Sequence, residues 1–423
     1  MKNNIFAVDI NNSYARENSG VIFALSRSAK QRSMFLTTII ISVAIIVLDF
    51  FATRRLSRDC KYRRWWVAAA LTTDVLPIII SLGAMMFADD NTTAVMMVSA
   101  WSFFGWMVLS IARIPLNIMA LISKKRWAKY SGIAITSCIV LTLFYGMFVT
   151  RSDYEIRRVD IYSSRLPKSF DGYKIVQISD IHIGTMIDAE EELAEIVELC
   201  NREDADMVAF CGDLVNVRYS ELTPELADIL SQLKARDGVY SVTGNHDIGV
   251  YMRNQQQLSV EENTRRLIEL QQKMGWNTIE DTTQYVHRGA DSIAITGVAF
   301  SAKLQEFRHS FDLPYVDLKE AYQGYNTNDF NITISHIPQT WDSILRDSLS
   351  DVTLSGHVHA MQFKIPITER GISPAMWGYK RWSGLYTEQG RHLYINDGIG
   401  SVLFPLRVGA RPEITVITLR CKE

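Results

Sequence analysis

The sequence predicts a soluble α/β unit preceded by four transmembrane helices. Three observations predict it. Residues 33–149 hold almost all the long apolar runs. The remainder alternates strand-like and helix-like patterns. Five of its β-rich runs end in Asp, Asn or His.

The chain has 423 residues, enough for two or three domains. A formal net charge of −2 supplies no global attraction for nucleic acid. Five cysteines (60, 138, 200, 211, 421) show no CxxC pair, which excludes a disulfide scaffold and a zinc-thiolate site. Cys211 reads as a small buried residue on a strand. We divide the chain into an N-terminal segment (1–32), a four-helix membrane region (33–150) and a soluble domain (151–423).

Residues 1–32 are polar and mixed, with no signal-peptide cleavage site. The apolar spans fall at about 33–53, 65–88, 94–122 and 128–149. Each can cross a hydrocarbon core of about 30 Å, which takes roughly 20 helical residues. Asp49, Asp74 and Arg113 lie within or near the spans. Three scattered charges make no relay, so they are expected near span ends or paired between helices.

The loop after span one carries Arg54, Arg55, Arg58, Lys61, Arg63 and Arg64, and the loop after span three Lys124, Lys125, Arg126 and Lys129. The loop after span two carries Asp89 and Asp90. The excess of positive charge places the two basic loops in the cytoplasm. The N-terminus and everything beyond residue 150 are then outside it. Trp65, Trp66 and Trp127 suit interfacial anchors.

In the soluble part an alternating piece around Ile156, Val159 and Ile161 predicts a first strand. Leu193, Ile196, Val197 and Cys200 recur at helical spacing, as do Leu226, Ile229, Leu230 and Leu233, with Thr223 as N-cap and Pro224 at the first helical position. A helix over 260–274 stops at Gly275, and another starts at Pro338. Strands are predicted at 293–299, 331–335, 352–355, 392–396 and 413–419. Longer insertions lie at 248–260, 300–330 and 360–391.

The runs that carry chemistry are Ile175–Ile178 before Asp180 and His182, and Met207–Phe210 before Asp213. They continue with Val239–Val242 before Asn245, Ile332–Ile334 before His336, and Val352–Leu354 before His357 and His359. At a strand end, positions i and i+2 point the same way, so Asp180 with His182, and His357 with His359, can each face one site. Gly356 lets the backbone pass close to that site. Five of the eight histidines lie in these motifs, the pattern of a metal site built across one edge of a sheet. His287, His309 and His392 fall outside it, and Asp397-Gly398 reads as a turn.

Asp-x-His, Gly-Asp, Gly-Asn-His-Asp, His and Gly-His-x-His, in that order, resemble the calcineurin-like metallophosphoesterases over about residues 154–420. Trp382-Ser383-Gly384-Leu385-Tyr386 and Tyr394 through Gly400 resemble the membrane-associated bacterial branch of that family. The resemblance implies a four-layer α-β-β-α sandwich in a protein of the bacterial inner or plasma membrane. It implies one divalent ion on Asp180, His182, Asp213 and His359, and a second on Asp213, Asn245, His336 and His357, with Asp213 bridging. His246 becomes the non-ligand histidine near the leaving group, oriented by Asp247.

Two ions about 3.5–4 Å apart clamp the attacking and leaving oxygens and supply hydroxide near neutral pH. Two carboxylates and one hydroxide against four positive charges leave the site near +1, still attractive to phosphate. Nitrogen and oxygen donors without thiolate suit Mn²⁺, Fe or Zn²⁺. The substrate class expected is a phosphoester, mono- or diester, on a lipid-linked or envelope molecule. Lys380, Arg381 and Arg391, with Trp377 and Trp382, present cations and aromatics to a bilayer or head group, or else form a packed loop with solvated charges. Two alternatives stand beside this reading. One is an enzyme like UDP-2,3-diacylglucosamine pyrophosphatase, whose cytoplasmic site the charge pattern opposes. The other is a membrane sensor or scaffold with a structural metal site.

Overall fold

A computed structural model describes residues 40–88, 90–311, 313–368 and 370–422. The N-terminal segment 1–32 and the start of the first span lie outside them; helix α1 covers 40–56. Helix α2 (Arg63–Phe87) is followed by α3 (Thr93–Leu109), α4 (Ile114–Ile122) and α5 (Arg126–Phe148). Among the described residues three stretches are long and apolar enough to cross a membrane: Arg63–Met86, Thr93–Ile122 and Arg126–Ser152. The middle one is interrupted by a 3-10 turn, Ile111–Arg113. Pro115 stands in the first turn of α4, where a missing N–H costs least.

Contacts group the chain into two compact units, Met1–Ile79 with Gly105–Ile139, and Ile80–Phe104 with Val140–Glu423. Within the first unit, Arg113 lies 2.5 Å from Asp49 and 2.8 Å from Asp74. Asn117 donates to Asp49. The three charges of the apolar helices are therefore one interhelical cluster, with both buried carboxylates against the Arg113 guanidinium.

The second unit contains two six-stranded sheets. One has the order β1-β12-β2-β3-β4-β5 and the other β10-β11-β9-β8-β7-β6. In chain order the strands are β1 (Glu155–Ser163), β2 (Lys174–Ile178), β3 (Met207–Phe210), β4 (Val239–Ser241), β5 (Asn277–Thr278) and β6 (Thr282–Arg288). They continue with β7 (Asp291–Val298), β8 (Phe330–Ser335), β9 (Val352–Ser355), β10 (Gly384–Glu388), β11 (Arg391–Ile395) and β12 (Glu413–Cys421). β2 through β5 are parallel, as are β7, β8, β9 and β11. The central parallel strands β2, β3, β8 and β9 are buried along nearly all their length, as strands covered on both faces must be.

One core lies between the sheets and includes Ile175, Met207, Ile293, Ile332 and Val352. A second joins the outer face of the first sheet to α6 (Ala189–Asn201), α7 (Pro224–Leu230) and α8 (Val260–Lys273). A third covers the outer face of the second sheet with α9 (Ala302–Phe307), α10 (Trp341–Arg346) and residues of the long insertions. Thr223 accepts the Leu226 N–H as N-cap of α7, and α8 ends before Gly275 at a φ of 85°, as the sequence predicts. β6 and β10 were not predicted; they are half-exposed edge strands with mixed composition.

The turn between α2 and α3 belongs to this second unit. Asp90 pairs with Arg218 at 2.5 Å, and Asn91 donates to the Tyr251 carbonyl at 2.8 Å.

Candidate metal centre

The parallel strands β2, β3, β4, β8 and β9 stop at Ile178, Phe210, Ser241, Ser335 and Ser355, and the chemistry-bearing residues follow each stop. Ligands gather at the carboxyl ends of parallel strands because the connecting loops all turn there. All seven predicted metal ligands come together. Asp180, His182 and His359 form one buried group, and Asp213, His336 and His357 another. Asn245 joins the second group, its Oδ1 at 2.9 Å from His336 Nε2.

The reason for the i, i+2 spacing differs from the expectation. Asp180, His182, Asp213, His357 and His359 lie beyond the strands with φ of 56°, 50°, 60°, 73° and 52°. They stand in left-handed turns, where a side chain other than Gly, Asn or Asp carries strain. Tight turns, not strand pleating, aim them inward. The space is equally tight: a Cβ on Gly356 would collide with Ser179 and Asp180, and one on Gly244 with Asp213.

The donor set fits divalent ions. His182 Nε2 and His359 Nε2 are 3.2 Å apart, and His359 Nε2 is 3.1 Å from Asp180 Oδ1. Two nitrogens each about 2.1 Å from one ion stand roughly 3–3.4 Å apart. Asp213 Oδ2 lies 3.1 Å from His336 Nε2 and 3.7 Å from His182 Nε2, between the groups. His336 Nδ1 meets the Cys211 carbonyl at 2.8 Å, so Nδ1 carries a proton and Nε2 is the atom turned to Asp213 and the site. His357 is arranged the other way: its Nε2 meets the Arg308 carbonyl at 3.0 Å, leaving Nδ1 as the donor atom.

Burial pushes both Asp180 and Asp213 upward, but charge on His359 and His336 respectively outweighs it and holds them below the carboxylate range. Burial and then neighbouring histidines hold His182 and His357 well below the imidazole range, hence neutral. The ionised carboxylates and the neutral His182 and His357 are in the forms that ligate, whereas Asp213, against the pull of burial, pushes His336 up to about 9, so that ring must give up a proton when an ion binds.

His246 sits against this cluster, its ring centroid 4.8 Å from that of His182. Its orientation corrects one expectation. His246 Nδ1 meets the Asn216 carbonyl at 2.6 Å; Asp247 does not hold the ring. Asp247 instead accepts four backbone N–H bonds, from Asp213 (2.7 Å), Leu214 (2.8 Å), Val215 (3.1 Å) and Gly244 (2.9 Å).

Residues without a motif complete the surroundings. Tyr251 lies 4.4 Å from the His246 ring and accepts from Asn245 Nδ2 at 3.0 Å. Arg308 Nε donates to the Tyr251 hydroxyl at 3.0 Å. His309 stacks on His357 at 5.6 Å. Asp397-Gly398 is a buried wall, not an exposed turn: Asp397 pairs with Lys364 at 2.7 Å, and Gly398 closes on His359. Arg407 is fully buried and donates to the carbonyls of Asp397, Gly400 and Ala410. Of the three cations expected to face outward, Arg381 is buried and Arg391 largely covered, whereas Lys380 is exposed. Arg381 pairs with Asp342 and Glu388, Lys380 with Asp342, and Arg391 with Asp351. Trp382 is buried, while Trp377 is 78% exposed.

Residues 173–361 match the family model for calcineurin-like phosphoesterases. Those residues carry a calcineurin-like phosphoesterase domain, and with it the protein is a hydrolase acting on phosphoester bonds. Among curated relatives of this family, the uncharacterized metallophosphoesterase YkuE of Bacillus subtilis is 28% identical over 279 residues, covering 65% of this chain and 89% of that protein. A transmembrane protein with metallophosphoesterase domain from Danio rerio is 29% identical over 284 residues, 65% of this chain and 60% of that one. The UDP-2,3-diacylglucosamine pyrophosphatase LpxG of Chlamydia muridarum is 26% identical over 338 residues, 68% of this chain and 95% of that protein.

Proposed function

We propose that this calcineurin-like phosphoesterase is anchored by four membrane-crossing helices and holds two divalent ions, Mn²⁺, Fe or Zn²⁺. It hydrolyses a lipid-linked or envelope phosphoester outside the cytoplasm of a bacterial-type plasma membrane. The observation that carries the dinuclear reading is the position of Asp213, whose one carboxylate oxygen faces His182 on one side and His336 on the other. The ions supply an activated water and a positive field when bound. Asp180, His182, Asp213 and His359 would hold one, and Asp213, Asn245, His336 and His357 the other.

The chain's own groups do the rest. His246, fixed through Nδ1 on Asn216, presents Nε2 to the reacting region, where it stabilises phosphoryl charge or protonates the leaving oxygen. Asp247 is a positioning residue that holds the Asp213 and Asn245 loops together. Arg308, held on Tyr251, supplies a cation for a non-bridging phosphoryl oxygen.

The test uses the full-length protein in detergent with Mn²⁺, assayed on bis-p-nitrophenyl phosphate and p-nitrophenyl phosphate. Hydrolysis that Asp213→Asn abolishes supports the reading; folded protein that binds no metal overturns it. The likeness to LpxG favours a second substrate class, a phosphoanhydride bearing acyl chains. Turnover of an acylated nucleotide-sugar in preference to lipid phosphate monoesters would select it.

A further inference from the structure

Past residue 150, the described residues include twelve exposed large hydrophobic side chains. Eight of them fall in 361–377 or at Leu403. That concentration begins two residues after the candidate ligand His359. Ile365 and Ile372 pair as an antiparallel bridge, forming a small hairpin whose tip carries Ile367 at 69% exposure. Ser373 donates to the Ala360 carbonyl at 2.6 Å, which seats Met376 and Trp377 beside the metal-centre turn. Single exposed apolar residues need no explanation, but a contiguous patch rimming a site does.

The patch is continuous with two of the apolar helices, α3 and α5. Lys364 N–H donates to the Val408 carbonyl at 2.8 Å, and Val408 N–H to the Gln362 carbonyl at 2.8 Å. The same 402–409 segment stacks Phe404 on Phe103 of α3 at 5.7 Å. It also donates Arg407 N–H to the Gly146 carbonyl of α5 at 3.2 Å. Leu403, 76% exposed, lies between hairpin and helices in this chain of contacts. Of the cations nearby, Lys364 is buried on Asp397 and Arg381 on Asp342 and Glu388, while exposed Arg370 lies over the Tyr386 ring and donates to the Leu385 carbonyl, so the outward face here is predominantly apolar.

We propose that the 361–377 hairpin, with Trp377 and Leu403, is a lip that sinks into the head-group and upper acyl region of the bilayer crossed by the protein's own helices. The occupant of this surface is lipid, because its neighbours in the fold are helices of membrane length. An aromatic tip with isoleucines around it is the composition that partitions at that depth. The lip would set the metal centre at the height of phosphate-bearing head groups. The inference rests on the proposed membrane anchoring and is independent of the substrate.

The test places one fluorescent nitrobenzoxadiazole label at a time in full-length protein reconstituted in phosphatidylglycerol/phosphatidylethanolamine vesicles, with Cys60→Ser and Cys138→Ser as background. Labels go at Ile367→Cys, at Leu141→Cys on α5 and at Lys273→Cys on the exposed face of α8. Quenching by doxyl-lipid and by aqueous iodide is read for each. We expect position 367 to match 141 in lipid quenching and to lose the iodide quenching seen at 273. Iodide quenching at 367 equal to that at 273, with lipid quenching intact at 141, overturns the lip and leaves the anchoring standing. Absence of lipid quenching at both 141 and 367 overturns the anchoring and the lip together.

Discussion

The Asp247 carboxylate accepts the backbone N–H of Asp213 at 2.7 Å and so ties the loop after β4 to the loop after β3. The same carboxylate holds Gly244, one residue before the candidate ligand Asn245. Two ligand loops from neighbouring strands are thereby fixed by one side chain.

Asp247→Asn turns an amide NH₂ toward donors that already point inward. Leaving buried N–H groups unmet costs about 1–3 kcal/mol each. We expect a fall in melting temperature together with loss of bound Mn²⁺, read by calorimetry and by metal analysis of the desalted protein. Unchanged metal content and stability would remove Asp247 from this role.

His246→Ala takes away a ring that the proposed two-ion assignment leaves off both ions, although it stands within reach of His182 and Asp213, so bound metal should be retained. General acid assistance contributes about 10²–10⁴-fold. The loss in kcat should be large for an alkyl phosphoester and small for p-nitrophenyl substrates, whose leaving group needs little protonation. Equal losses on both would show that His246 acts otherwise than on the leaving oxygen.

Arg308→Ala removes a guanidinium braced on Tyr251 while its backbone carbonyl stays in place for His357. A charge-assisted contact to phosphate contributes roughly 1.5–3 kcal/mol. KM for phosphoesters should rise by about tenfold or more, with metal content intact, in steady-state kinetics across the two p-nitrophenyl substrates. An unchanged KM would place Arg308 outside substrate binding.

Glu221 is buried beneath the turn that holds Asn216 and accepts the N–H groups of Asn216 (2.6 Å) and Val217 (3.0 Å). Burial pushes its carboxyl up to about 7, against the pull of those bonds. For a carboxyl raised in the folded state, the stabilising contribution is complete below the unfolded value of 4.5 and is lost as pH rises through about 7. At most roughly 3 kcal/mol is involved. Melting temperature should fall from pH 5 to pH 8, and Glu221→Gln should flatten part of that slope. An unaltered slope would mean the N–H groups keep the carboxylate ionised throughout.

Cys60 is exposed in the turn between α1 and α2, beside Lys61 and Arg58. The proposed topology puts it in the cytoplasm. A membrane-impermeant maleimide should label it only after lysis, whereas Lys273→Cys should react in intact cells once any outer barrier is permeabilised. The reverse pattern would turn the catalytic unit inward and favour a cytoplasmic substrate.

How much of this was legible follows from which interactions are local. The strand ends and their ligands were readable because each is a short apolar run followed by a fixed motif, and all seven candidate ligands meet in space. Thr223-Pro224 and Gly275 were readable because caps are local chemistry. Tyr251, Arg308 and His309 were not, because they reach the site from insertions whose path no periodicity dictates. Arg407 gives no signal either: a lone arginine in an apolar stretch becomes meaningful only once three backbone carbonyls are seen to converge on it. The role of Asp247 was misjudged because adjacency to His246 in sequence suggested a side-chain partner, while the fold turned it toward the backbone.

The left-handed turns beneath five of the ligands bear on how this protein can change over evolutionary time. Glycine adopts that backbone without strain, whereas His182, His357 and His359 hold it with a Cβ in place. Substitution of one of these histidines by Gly removes a metal donor and relieves the backbone in the same step. Descendants that abandon hydrolysis therefore have a downhill path open to them, and a catalytically silent copy of this domain can be more stable than its active ancestor.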